Sequence, residues 1–134
     1  MPDYTVVNLK EEVEDQAPSF GFAPDLEARF AREALELEKS GMSYQKLAPS
    51  FRVPFGHRHK TQEEVYVLVG GNARVKIDDE VVDLKRWDAV RVPAERWRCF
   101  EAGPDGAEIV AFGAPNMGDA TREELEMAPN WWAD

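Results

Sequence analysis

From residue 42 to residue 114 the chain is a succession of short extended runs, each closed by turn residues before the next begins. Glu64 to Val69 is rich in Val and Tyr and is turned by Gly70-Gly71-Asn72. Ala73, Val75 and Ile77 then alternate with Arg74 and Lys76, Asp78-Asp79 makes a tight turn, and Val81 to Leu84 returns. After Trp87-Asp88 come Ala89 to Val92, a break at Pro93, Arg96 to Phe100, a Gly103-Pro104-Asp105-Gly106 turn and Glu108 to Phe112. Turns spaced by about 8 to 12 residues predict an all-β sandwich or barrel and not βαβ units. A length of 134 residues is that of one domain, and a hydrophobic fraction of 43% supplies enough apolar surface to bury a core.

The flanks divide the chain further, into an N-terminal extension over 1–41, the β domain over 42–114 and a tail over 115–134. Tyr4 to Leu9 is compatible with a short strand, and Gln16 to Pro24, with two prolines and a glycine, with an irregular connector. From Asp25 the period becomes helical. Leu26, Phe30, Ala34 and Leu37 fall on one stripe and Gly41 stands where a helix would stop, which predicts an N-terminal amphipathic helix. In the tail, Thr121-Arg122-Glu123-Glu124 has the form of a capping box and predicts a short C-terminal helix. Trp131-Trp132 is too large an apolar pair to leave in water, so it is expected to dock on the barrel or on a second subunit.

Composition narrows the function. A formal net charge of −10 repels phosphate backbones, so no nucleic acid is expected as a partner. No stretch approaches the ~20 apolar residues of a membrane helix and the first residues lack a secretory pattern, so neither a membrane nor export is expected. A single cysteine, Cys99, excludes an intramolecular disulfide and fits a reducing, cytoplasmic setting.

Both histidines of the chain lie in Gly56-His57-Arg58-His59. In an extended segment alternate side chains share a face, so the two imidazoles stand roughly 6 to 7 Å apart along the strand and are able to grip one cation. Glu64, at the head of the next β run, brings a carboxylate to the same point. Two His and one carboxylate make up the facial triad of non-haem iron, a set that manganese, zinc or nickel also accepts.

With these residues in view, the chain resembles the cupins. The stretch from His57 to Gly71 is similar to the first cupin motif: two His flanking one residue, a Glu four residues beyond, and a Gly after six more. That spacing selects Glu64 and Gly71, and the shorter permitted spacing selects Glu63 and Gly70. Trp87 to Arg98 resembles the second motif, Gly-Asp, four residues, Pro-x-Gly-x-x-His. The resemblance implies a small cupin-type jelly-roll β-barrel, commonly a homodimer, with a metal or small-molecule site inside. Phe51 stands where the first motif usually opens with Gly, Trp87 replaces the glycine before Asp88, and Glu95 replaces the one after Pro93. The position of the family's fourth ligand, a His, is Arg98.

A guanidinium stays charged at any working pH, and at ~5 Å and an effective dielectric of ~20 it repels a dication by roughly 6 kcal/mol. Either Arg98 pairs with Glu63 or Glu64, or an anionic substrate sits between metal and arginine and is held by the fork. By parity, Tyr66 and Leu68 share the face of Glu64, and Phe100 that of Arg98. They suit the walls of a small-ligand site and a packed core equally. Cys99 faces the other way, as a buried inert thiol. The expected protein is a cupin of unassigned activity that binds a small, anionic molecule, with His57, His59 and Glu64 as metal ligands for Fe, Mn, Ni or Zn. Arg98, Tyr66 and Phe100 are its substrate-binding residues, and no catalytic residue is assigned. The alternative is a metal-free cupin, a binding or assembly module whose site is filled by an Arg98–Glu64 ion pair.

Overall fold

The computed structural model describes residues 3–116 and 124–133. Its strands, all antiparallel, are β1 (Leu26–Phe30), β2 (Gly41–Leu47), β3 (Phe55–His59), β4 (Glu63–Ile77), β5 (Glu80–Leu84), β6 (Ala89–Val92), β7 (Arg98–Ala114) and β8 (Leu125–Pro129). One helical turn, α1 (Ala17–Phe20), precedes them. Among the described residues no helix is long and apolar enough to cross a membrane.

Two long strands organise the roll. The second half of β7 pairs with β2 and with the first half of β4, which also carries β6, while β1 extends the sheet beyond β2. The first half of β7 pairs with the second half of β4 and, through Arg98 and His57, with β3, while β5 and β8 extend the outer sides. The two halves fold onto each other where register is lost: Gly71 pairs with Ala107 and Ala73 with Ala102, so Gly103 to Gly106 bulge out opposite Asn72. The two turns expected at Gly70-Gly71-Asn72 and Gly103-Pro104-Asp105-Gly106 are therefore bends within continuous strands. Gly71 has φ +72, and a Cβ there would stand 2.0 Å from the Gly106 carbonyl oxygen, so only glycine lets the two backbones cross at this fold line. Between the halves lie Leu47, Leu68, Val75, Val92, Phe100 and Ile109, all buried. The cupin-type all-β barrel expected from the sequence is the fold observed.

The amphipathic helix expected from Asp25 to Gly41 is absent. Leu26 and Phe30 lie on the helical stripe, yet with Ala28 they also satisfy a period of two, and β2 offers backbone groups that only a strand satisfies. The chain accordingly enters β1, with Leu26 opposite Leu47 and Phe30 opposite Ser43, while Glu27 and Arg29 bond each other on the other face. Residues 32–36 then turn back into β2, helped by the Leu35 amide donating to the Ala31 carbonyl at 2.9 Å and by Glu36 at φ +58. Tyr4 to Asn8 form no strand. The Asn8 carboxamide oxygen caps the Lys10 and Glu11 amides, both at 3.0 Å, and Lys10 reaches Glu108 at 2.9 Å. Of the capping box proposed for a C-terminal helix, Thr121, Arg122 and Glu123 lie outside the described residues. Beyond Glu124 the chain enters strand β8 and not a helix, because β3 needs a partner along its second edge.

The tryptophans of the tail dock on their own barrel. The ring of Trp131 stacks on Trp97 with centroids 6.1 Å apart and leans on Gly56, where any Cβ would meet it at 2.7 Å. Trp132 is buried between the Arg52 and Arg74 guanidiniums, 4.3 and 5.2 Å from its ring centroid. Cys99 is buried and donates to the Val53 carbonyl at 3.2 Å. Burial, more than any neighbouring charge, pushes its thiol up to about 12, so it is inert at neutral pH.

Candidate metal centre

Strand β3 alternates, so His57 and His59 project to one face, into the roll. Their rings meet edge to face with centroids 5.3 Å apart. Glu64 enters from β4 on the parity of Tyr66. The adjoining Glu63 points outward, exposed and near Arg91 at 3.8 Å, so Glu64 is the carboxylate that reaches the histidines. Both His57 Nε2 and His59 Nε2 stand 3.3 Å from the same atom, Glu64 Oε1. One donor atom from each of the three residues lies within 4.8 Å of the others.

Glu64 is firmly held. The Tyr66 hydroxyl donates to Oε1, and the Gln62 amide donates to Oε2 at 3.1 Å while its own oxygen accepts from Asn116 at 3.0 Å. Burial alone would raise the Glu64 carboxyl, but hydrogen bonding with His57 and His59 outweighs it and holds the group well below the usual carboxylate range. Burial pushes the His57 imidazole below its ordinary value, with Glu64 only partly opposing. At neutral pH the site therefore presents an ionised carboxylate and a neutral imidazole, the forms that ligate metals. Burial and then the Glu64 charge push the Tyr66 hydroxyl well above its usual value, so it remains a donor.

Arg98 is the direct cross-strand neighbour of His57 and is fully buried. Its guanidinium lies 3.7 Å from Glu64 Oε1. Nη1 faces the Ala94 and His57 carbonyls at 3.3 and 3.5 Å, and Nη2 the Pro93 and Val92 carbonyls at 3.4 and 3.5 Å. These bonds are long, and Nε has no partner among the described residues. That contact with Glu64 is of ion-pair length. Tyr66 touches the site through its hydroxyl, while its ring packs on Phe100 at 4.8 Å. Phe100 belongs to the core cluster.

Glu124 was invisible in the sequence as part of this group, because sixty residues separate it from Glu64. Its Oε2 stands 3.3 Å from His59 Nδ1. Its oxygens accept from the backbone amides of Lys60, Thr61 and Gln62 at 3.1 to 3.2 Å and from the Thr61 hydroxyl. Burial opposes ionisation of Glu124, yet these donors hold its carboxyl down to about 2.

The donor set fits a cation. Bonds of about 2.0 to 2.2 Å to imidazole nitrogen and carboxylate oxygen put neighbouring ligand atoms about 2.8 to 3.1 Å apart in octahedral geometry and about 3.3 to 3.6 Å apart in tetrahedral geometry. The two nitrogen–oxygen separations of 3.3 Å are of that size.

The family model described as "Cupin domain" matches residues 43–112, more than half of the chain. No curated protein matches it significantly. Among solved structures, a cupin protein from Bacteroides fragilis superposes with a TM-score of 0.70 at 21% identity, covering 88% of this chain and 89% of that one. KdgF from Halomonas sp. gives 0.69 at 14% identity, with 90% and 100% covered. Oxalate decarboxylase from Bacillus subtilis gives 0.70 at 21% identity over 91% of this chain and 32% of its own, so the chain spans about a third of that protein. At such identities the likeness is one of fold, and it agrees with the family match: the chain belongs to the cupin family.

Proposed function

We propose that this cupin-domain protein binds a small anionic molecule at a divalent-cation centre held by His57, His59 and Glu64. The observation that carries the reading is the convergence of two imidazole Nε2 atoms on one carboxylate oxygen, each at 3.3 Å. A bound Fe, Mn, Ni or Zn ion would polarise a ligand oxygen as a Lewis acid, or activate oxygen in the case of iron. The preference for an anion follows from charge. With both imidazoles on the metal, a dication and Arg98 outweigh the carboxylates of Glu64 and Glu124, and an anionic ligand relieves the remaining positive charge. In this reading Arg98 acts as a fixed buried charge, while the Tyr66 hydroxyl marks the inner limit of the site and Phe100 backs it from the core. A neighbour whose name records an acid substrate, oxalate decarboxylase, supports only the suitability of the scaffold. The same reading has the protein working in the cytoplasm, in keeping with a lone buried thiol, and as a homodimer.

The test is elemental analysis of protein purified without a chelating tag. Near-stoichiometric transition metal that disappears in a His57→Ala, His59→Ala double variant supports the proposal. The second reading, a metal-free binding or assembly module, is favoured by the 3.7 Å Arg98–Glu64 pair, which already supplies the carboxylate with a counter-charge. Protein that stays empty after exposure to all four metals decides for that module.

A further inference from the structure

We infer that Glu124 is a positioning residue for His59, and that through it the docking of the tail strand β8 and the loading of the metal centre strengthen one another. The inference rests on the metal reading above. His59 has its two ring nitrogens between two carboxylates: Nε2 faces Glu64 Oε1 and Nδ1 faces Glu124 Oε2, each at 3.3 Å. Nδ1 is buried and has no aligned hydrogen bond among the described residues, so its proton requirement is met by Glu124 or goes unmet. A metal-bound imidazole nearly always donates its second N–H to such a carboxylate, which fixes the tautomer and keeps the other lone pair on the metal.

Glu124 is able to do this because it is itself fixed. Three successive amides, Lys60, Thr61 and Gln62, and the Thr61 hydroxyl hold its carboxylate in the β3–β4 turn, between the histidines and Glu64 in the chain. The Lys60 amide also donates to the Glu124 carbonyl at 2.8 Å. The next residue, Leu125, opens β8 opposite His59, and β8 leads into the docked tryptophans. Whatever strengthens the His59–Glu124 contact therefore strengthens the attachment of β8. Linkage makes the converse hold by the same factor.

The experiment titrates Co²⁺ into the full chain as wild type, Glu124→Gln and Thr61→Val, by calorimetry and by the cobalt absorption band, with hydrogen exchange across Leu125–Pro129 measured with and without the ion. Thr61→Val removes a bond to Glu124 without touching His59. Glu124→Gln should weaken Co²⁺ by about tenfold or more, the usual effect of losing an outer carboxylate, whereas Thr61→Val, which loosens Glu124 but leaves its carboxylate and three amide donors in place, should lose clearly less. Co²⁺ should slow exchange across β8 in wild type and in Thr61→Val, and less in Glu124→Gln. The inference is overturned if Glu124→Gln binds Co²⁺ as wild type does, if Thr61→Val loses as much affinity, or if Co²⁺ leaves β8 exchange in wild type unchanged. That last measurement needs no variant to fold. Wild type that takes neither Co²⁺ nor Fe, Mn, Ni or Zn removes the metal reading and this inference together, whereas normal wild-type loading with an indifferent Glu124→Gln removes only the inference.

Discussion

Replacing Arg98 tests the electrostatics of the centre directly. Its Nη2 is 3.7 Å from Glu64 Oε1, so a cation bonded to that oxygen sits roughly 5 Å from the guanidinium. At an effective dielectric of about 20 the repulsion of a dication is roughly 6 kcal/mol. The His57 side chain is 24% exposed, so solvent reaches the edge of the site. Halving the repulsion for that screening leaves about 3 kcal/mol, or somewhat over 100-fold in affinity. Arg98→Met should therefore bind Zn²⁺ or Co²⁺ at least about 100-fold more tightly than wild type by competition titration. Arg98→His, which also supplies a third imidazole as a fourth ligand, should bind tighter still. The same substitutions strip donors from four carbonyls. Those bonds are 3.3 to 3.5 Å long, so the loss sits at the low end of the 1 to 3 kcal/mol cost of a buried unsatisfied group, and the metal-free variants should melt roughly 5 °C lower. Metal should then recover more melting temperature in the variants than in wild type. An Arg98→Met protein that folds but binds no better than wild type would refute the repulsion argument, and with it the role given to Arg98.

Trp87 takes φ +77 where the second motif has glycine and keeps its ring 66% exposed, so Trp87→Gly should raise stability by about 0.5 to 1 kcal/mol, read from urea unfolding; a loss would mean that the ring packs usefully. Trp132→Ala empties a buried site between two guanidiniums and should cost about 3 to 5 kcal/mol, enough to make the tail sensitive to protease; resistance equal to wild type would contradict its docking. Glu108 has its carboxyl pulled below the ordinary value, first by the Tyr44 hydroxyl and then by Lys10. A lowered folded value means stability that is present above the ordinary carboxylate range near 4.5 and lost as pH falls through the depressed one. Glu108→Gln should accordingly shrink the drop in melting temperature between pH 7 and about pH 3, and an unchanged drop would remove Glu108 from the acid response.

Much of the centre was legible because it is local. Residues 57 and 59 share a face on any strand, and Glu64 comes after one turn, so backbone alternation alone brings them near each other. Which of Glu63 and Glu64 faces inward was a matter of register, and β4 settled it by burying Tyr66 and Leu68 on the Glu64 parity. The segment from Leu26 to Phe30 misled because its apolar spacing serves two periods, and the choice between them belonged to the β2 edge, which lies elsewhere in the chain. The turns at Gly70 and Gly103 were recognisable as breaks, yet only their pairing with each other shows them to be one fold line crossed by two strands.

By itself the amino-acid sequence determined an all-β roll, a pair of histidines on one face, and an arginine where a fourth ligand would stand. The first two are properties of alternation and spacing, which act over a few residues, and the third is what the resemblance to the second cupin motif implies. Tertiary structure decided the rest. It turned Arg98 onto four carbonyls and Glu64, brought Glu124 from the tail to His59, and folded Trp132 onto the barrel. Each of these joins groups far apart in the chain, and their proximity is set by how the halves of the sheet pack, which no local pattern encodes.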